Sequence, residues 1–166
     1  MQNERFNQFV QMIDGVHKSV SKIKLSLAPL FGVKSVHIFW LYELLSHPQG
    51  LTSSALASKS KIDRSLISRE IEELSEGGYV RVVGGSGEKR KNYNSRICLT
   101  DKGENLARTI AVYAMAVQRA ADDGVSEEEL DSFYRTLKKL SSNLADVAEQ
   151  KKLLSAEQGA QRNMHP

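Results

Sequence analysis

The sequence predicts a mainly α fold carrying one small β-hairpin (α+β), and three observations predict it. Apolar residues recur every three or four positions through residues 3–27, 101–122 and 127–147, which is the period of helices with one buried stripe. Residues 79–83 and 96–99 are short, β-branched or alternating segments separated by a glycine-rich basic loop, as in a hairpin. Just ahead of them, two short helical segments flank the turn SKSKI. Two helices around a tight turn followed by a hairpin make a winged helix-turn-helix, here set between long terminal helices.

The N-terminal segment places Phe6, Phe9, Val10, Ile13, Val16, Val20, Ile23 and Leu27 on one stripe, with Lys18, Lys22 and Lys24 off it. Pro29 and Gly32 are expected to end this helix. With nothing preceding it to pack against, it suits a dimerisation arm as well as a core element. A second helix over residues 34–46 is apolar on nearly every face, through Val36, Ile38, Phe39, Trp40, Leu41, Leu44 and Leu45, and so belongs at the centre of the domain.

Leu51 fits a minimal strand, and Thr52 is placed to cap a short helix through Ala55, Leu56 and Ala57, its hydroxyl accepting from an otherwise unpaired amide. Asp63 is the next cap. It starts a helix that turns Ile67, Ile71 and Leu74 inward and ends at Gly77 and Gly78. Arg64, Ser65, Leu66, Ser68 and Arg69 fall away from that face, and Glu70, Glu72, Glu73 and Glu76 are expected where the helix points away from a groove. Thr100 caps a helix ending near Asp122 before Gly124, and Ser126 with Glu129 is a capping box for the last long helix, whose stripe is Leu130, Phe133, Leu137, Leu140, Leu144 and Val147. The pattern stops near residue 155, and a frayed tail over 155–166 is expected.

A chain of 166 residues with 40% apolar residues can bury one core and is too short for two ordinary domains. The net charge of +3 hides a gradient: residues 84–96 carry +3, and residues 122–149 carry −5. A single cysteine, Cys98, excludes a disulfide framework. The N-terminus has no secretory pattern, and the most apolar window, residues 38–45, is too short for a bilayer and broken by Glu43. A cytoplasmic protein without membrane contact is expected. GGSG is followed by no lysine-serine pair or helix start, which argues against a phosphate cradle. The histidines His17, His37, His47 and His165 have no metal spacing, so no metal or other cofactor is expected, and no serine, histidine and carboxylate set suggests an enzyme.

Two helices, LTSSALASKSKIDRSLISREIEELSEGGYV, a basic hairpin, RICLTDKG and two long helices, in that order, resemble the MarR family of bacterial transcription regulators over residues 5–150. The resemblance implies one domain over 1–166, with dimerisation helices at 1–32 and 101–154 and the winged lobe at 33–100. It implies a homodimer that sets two recognition helices in successive major grooves of double-stranded DNA, on a near-palindromic operator with half-sites about 10 base pairs apart. Such regulators are usually repressors that respond to a small aromatic or anionic effector. Carried onto this chain, the recognition helix is residues 63–76, with Arg64, Ser65, Leu66, Ser68 and Arg69 facing bases or phosphates. Arg69 is the first choice for a base contact, because a guanidinium can bond guanine O6 and N7 together. Ser53, Ser54, Lys59 and Lys61 would touch phosphates, and Lys89, Arg90 and Lys91 the flanking groove. The family's Asp-x-Arg of the wing falls on Lys91-Asn92-Tyr93, leaving Arg90 or Arg96 as substitutes.

The effector cleft implied by the family would lie among the first, second and fifth helices, where His17, His37, Trp40 and Tyr113 each offer an apolar body and a polar tip. Ordinary core or dimer packing is the other reading of each. Cys98 alternates with Ile97 and Leu99, opposite the core pair, and a basic neighbour there would favour thiolate and redox sensing; an inert strand cysteine is the plainer reading. Two other classes remain: a winged-helix module that assembles only with proteins, and a ligand carrier or enzyme built in the dimer cleft.

Overall fold

The computed structural model describes the backbone of residues 2–60, 64–84 and 95–162, and the side chains of 4–60, 66–84 and 95–150. Its elements are α1 (Gln2–Phe31), α2 (Ser35–Leu45), β1 (Leu51–Thr52), α3 (Ser53–Ser60), α4 (Arg64–Glu76), β2 (Val80–Val83), β3 (Arg96–Leu99), α5 (Asp101–Ala121) and α6 (Glu127–Arg162). They fall into two compact units, Met1–Ala116 and Val117–Pro166.

In the first unit the core is built on α2. Trp40 and Leu41 are fully buried, and around them gather Leu44, Leu56, Ile67, Leu74, Val80, Ile97, Ala107 and Ile110. Each such side chain removed from water contributes about 1.5–3 kcal/mol before entropy is subtracted, which is why an 11-residue helix with an apolar surface all round ends up at the centre. The three strands form an antiparallel sheet in the order β1-β3-β2, with Leu51 opposite Ile97 and Val80 opposite Leu99. Ile67, Ile71 and Leu74 turn inward as their spacing predicts.

The caps explain where the helices begin and end. Ala55 N donates to Thr52 Oγ1 at 3.1 Å, and Gly103 N to Thr100 Oγ1 at 3.1 Å. α4 stops at Gly78, whose φ of +71° lets Tyr79 N turn back to Leu74 O at 2.9 Å. The cap expected at Asp63 lies outside the described residues.

Two expectations are corrected. Pro29 does not end α1, which runs on to Phe31. The proline sits in the final turn, where it removes one backbone bond, while buried Ala28 and Phe31 anchor that turn to the core; Gly32, at φ +64°, is the stop. The C-terminal segment also does not lose its helix near residue 155, since α6 continues to Arg162. Ala156, Glu157, Gln158, Ala160 and Gln161 are good helix formers and need no apolar stripe to continue one.

Most of α1 gives nothing to the core. Phe6, Val10, Ile13, Val16 and Val20, five members of its predicted stripe, are exposed. In the second unit Ser126 N donates to Glu129 Oε2 at 2.9 Å and Glu129 N to Ser126 Oγ at 3.4 Å, the reciprocal capping box. The Ser126 bonds hold the Glu129 carboxyl below its ordinary pKa. Phe133 and Tyr134 meet edge to face at 5.4 Å, and Leu140, Leu144 and Val147 are exposed. Among the described residues no single helix is long and apolar enough to cross a membrane.

Candidate nucleic-acid interface and adjoining cleft

α4 presents Leu66, Ser68 and Arg69 outward, with the Arg69 side chain 67% exposed. The opposite face is locked into the core by Ile67 and Leu74, so the outward set has a fixed bearing. Arg64 and Ser65 belong to the first turn of the same helix. On α3, Ser54 and Lys59 are exposed and Ser53 is half-buried at the helix start. Lys59 already pairs with Glu43 at 2.9 Å, and a phosphate would compete with that carboxylate. Lys61, Lys89, Arg90 and Lys91 lie outside the described residues. At the base of the hairpin, Ser95 Oγ donates to Gly84 O at 2.9 Å. The exposed Arg96 donates through Nη1 to Gly50 O at 3.0 Å, so part of its guanidinium is engaged in holding the turn before β1.

Behind Arg69 lies a charged cluster that the sequence reading did not assemble. Arg69 Nη2 donates to Glu70 Oε1 at 3.1 Å, and its Nε lies 3.9 Å from Glu73 Oε1. Glu70, expected where the helix points away from a groove, is buried against the core, only 6% exposed. Its second oxygen faces His37 Nε2 at 2.9 Å and Lys34 Nζ at 3.1 Å. Lys34 also donates to Glu73 Oε1 at 2.6 Å. A buried carboxylate must be paired or ligated to remain charged, and this one has three partners from two elements. Burial pushes the Glu70 carboxyl up, but hydrogen bonds from Arg69, Lys34 and His37 outweigh it and hold the group below its ordinary range. Burial lowers the His37 pKa against the opposing pull of Glu70. The Glu73 bond raises Lys34 above its ordinary value.

One signal for this cluster was present. Residues 67, 70, 71 and 74 share a helical stripe, so periodicity puts Glu70 inward with the three apolar residues, and His37 interrupts an otherwise apolar helix. What the sequence could not show is that the two meet.

Beside the cluster opens a cleft of about 640 Å³ whose walls include Ala28, Lys34, His37, Glu73, Tyr79 and Lys102. Lys102 Nζ donates to Gly77 O at 2.7 Å and sits 4.3 Å from the Tyr79 ring centroid, closing the end of α4. Of the four residues expected to share an effector pocket, His37 and Trp40 are neighbours, their ring centroids 6.2 Å apart, but they line different cavities. His37 lines this cleft, whereas Trp40 lines a separate cavity of about 200 Å³ with Lys24 and Lys59. Tyr113 packs edge to face on Phe31 at 5.3 Å, and His17 is exposed on α1. Cys98 is half-buried, and a Cβ on Gly50 would stand 2.5 Å from its Sγ, so the thiol lies against the turn before β1. Its cross-strand neighbour is Arg81, an exposed basic residue on the same face of the sheet.

A recognition-type helix behind a short partner helix, with a three-stranded sheet at its end, defines a winged helix-turn-helix protein. The fold is that of the MarR family regulators. A putative MarR family transcriptional regulator from Listeria monocytogenes, solved with a 26mer DNA, superposes with a TM-score of 0.73 at 23% identity, covering 82% of this chain and 89% of that one. The MepR–DNA complex of Staphylococcus aureus matches at a TM-score of 0.69 and 19% identity over 80% and 94% of the two chains. Staphylococcus aureus MarR in complex with salicylate and kanamycin matches at 0.70 and 16% over 87% and 93%. No family model matches the sequence, and no curated protein matches it significantly.

Proposed function

We propose that this chain is a sequence-specific, double-stranded DNA-binding transcriptional regulator, not an enzyme, that acts in the cytoplasm as a homodimer on a near-palindromic operator, usually as a repressor. The observation that carries the reading is the outward face of α4, where Leu66, Ser68 and the 67% exposed Arg69 project from a helix otherwise fastened to the core. Two of the similar structures hold DNA, which supports the same use of the fold here.

The exposed apolar stripe of α1, Phe6, Val10, Ile13, Val16 and Val20, supports pairing with a second copy, since a monomer gains nothing from leaving it in water. The cleft beside Lys34 and Lys102 supports a small anionic or aromatic effector, and a similar structure carries salicylate and kanamycin. An effector there would touch Glu73 and so reach the residues that hold Arg69.

The test is a mobility-shift assay with DNA upstream of the protein's own gene, run at two salt concentrations, with Arg69→Ala beside wild type. Binding that weakens steeply with salt and with the substitution is expected. A wild-type protein that shifts no such fragment at low salt defeats the reading and leaves a protein-only assembly module or a ligand carrier.

A further inference from the structure

We propose that His37, Glu70 and Glu73 form a binding site for a divalent transition metal of the zinc class, bridging α2 and α4. One ligand atom from each of the three, a ring nitrogen and two carboxylate oxygens, can be chosen so that all lie within 4.8 Å of one another. Ligand atoms about 2 Å from a tetrahedral ion stand roughly 3.3 Å apart, so side-chain shifts on the order of 1 Å bring this set onto a metal. The closest pair, His37 Nε2 and Glu70 Oε2 at 2.9 Å, has only to open slightly.

The place is already a cation site. Lys34 Nζ stands among the same carboxylate oxygens, 3.1 Å from Glu70 Oε2, 3.3 Å from Glu70 Oε1 and 2.6 Å from Glu73 Oε1. It is a tethered ammonium, its side chain 47% exposed, and it can withdraw into water when a divalent ion, with twice the charge, takes over its contacts to the carboxylates. The two ligands that would be hardest to dehydrate are buried in advance, His37 at 4% and Glu70 at 6% exposure. In the metal-free protein Nε2–H donates to Glu70 Oε2, so ligation through Nε2 moves that proton to Nδ1 by exchange with water; the ring stays neutral, and Lys34 departs still protonated. His37 and Glu73 both line the 640 Å³ cleft, which provides the entry path and room for a water or an anion as fourth ligand. One imidazole with two carboxylates suits zinc and its first-row neighbours; calcium and magnesium select oxygen ligands alone.

The experiment uses the full chain stripped with a chelator and titrated with Zn(II) against a chromophoric competitor. Wild type is expected to bind one ion per chain. His37→Gln and Glu73→Gln should each weaken binding tenfold or more, since even the outer partners of metal ligands cost about 10–100-fold. Lys34→Ala should tighten it, because the competing ammonium is gone. Glu73 is half-exposed, so its variant serves if His37→Gln does not fold, and Co(II) absorption in the visible range, present in wild type and lost in Glu73→Gln, gives a second readout. No binding by wild type overturns the assignment. So does equal affinity in wild type and Glu73→Gln, which would place the ion on other histidines, and so does a Lys34→Ala protein that binds no more tightly.

Discussion

Arg69 Nη2 lies 3.1 Å from Glu70 Oε1, which joins an exposed cation of α4 to a buried carboxylate gripped from behind by His37 and Lys34. Arg69 therefore carries its own counter-charge, and contact with a guanine means exchanging that carboxylate for the base edge. Arg69→Ala is expected to weaken operator binding by about 1–3 kcal/mol, the discrimination of one bidentate contact, and to relax specificity at one base pair. Titrations on the operator and on single-base variants check it. A uniform loss across all sequences would instead make Arg69 a phosphate contact.

Acid should loosen the α2–α4 contact in the metal-free protein. His37 faces Lys34 from its own N-terminal cap and Glu70 and Glu73 from α4, and its pKa is lowered from the ordinary 6.5 by burial, so the unfolded chain takes the proton more readily than the folded one. The stability this contributes is full above that ordinary value and is lost as pH falls below it toward the folded pKa. Glu70, lowered from 4.5, acts in the same direction further down: its contribution is present above its unfolded value and is lost as pH falls through the folded one. Urea midpoints measured from about pH 7 to about pH 5 should fall in wild type and fall less in His37→Gln. Identical slopes in the two proteins would remove His37 as the cause.

α5 is pressed directly onto Tyr79, in the turn that follows α4. A Cβ on Gly103 would stand 1.8 Å from Tyr79 O and 2.8 Å from Tyr79 C, backbone atoms that cannot swing aside. The same corner is tied by Thr100, whose Oγ1 donates to Gly78 O at 2.6 Å and whose N donates to Tyr79 O at 3.1 Å. Gly103→Ala should therefore destabilise the first unit by about 1–3 kcal/mol or more, measured as a drop in denaturant midpoint. A neutral effect would mean that α5 is free to move off Tyr79.

Ser126→Ala removes one half of the capping box at the start of α6. A loss of about 1 kcal/mol is expected, read as faster hydrogen exchange of the first-turn amides of α6 with little change at Ile67 or Leu74. Unchanged exchange at those amides would show that the cap contributes nothing in solution.

Cys98 sits half-buried against Gly50 with Arg81 across the strand pair. If it senses oxidants, wild-type protein should release DNA on peroxide treatment and Cys98→Ser should not. Equal behaviour of the two proteins makes it an ordinary strand residue.

Local signals carried far in this chain. Thr52, Thr100 and the Ser126–Glu129 pair cap their helices as their positions predict, and Ile67, Ile71 and Leu74 turn inward as their spacing does, because capping and helical period depend on residues within four positions of one another. The winged order of helices and strands followed from those signals placed end to end. Pro29 was misleading for a related reason: a residue's own preference says where a helix should stop, while the burial of Ala28 and Phe31, set by distant parts of the chain, decides whether it does.

The sequence by itself determined the elements, their order and the outward face of α4, since these rest on spacing and local chemistry. Only the tertiary structure decided that His37, Lys34, Glu70 and Glu73, up to 39 residues apart, share one place, and that His37 and Trp40, though ring neighbours, line different cavities. A charge is solvated or buried according to what packs over it, and what packs over Glu70 is another helix.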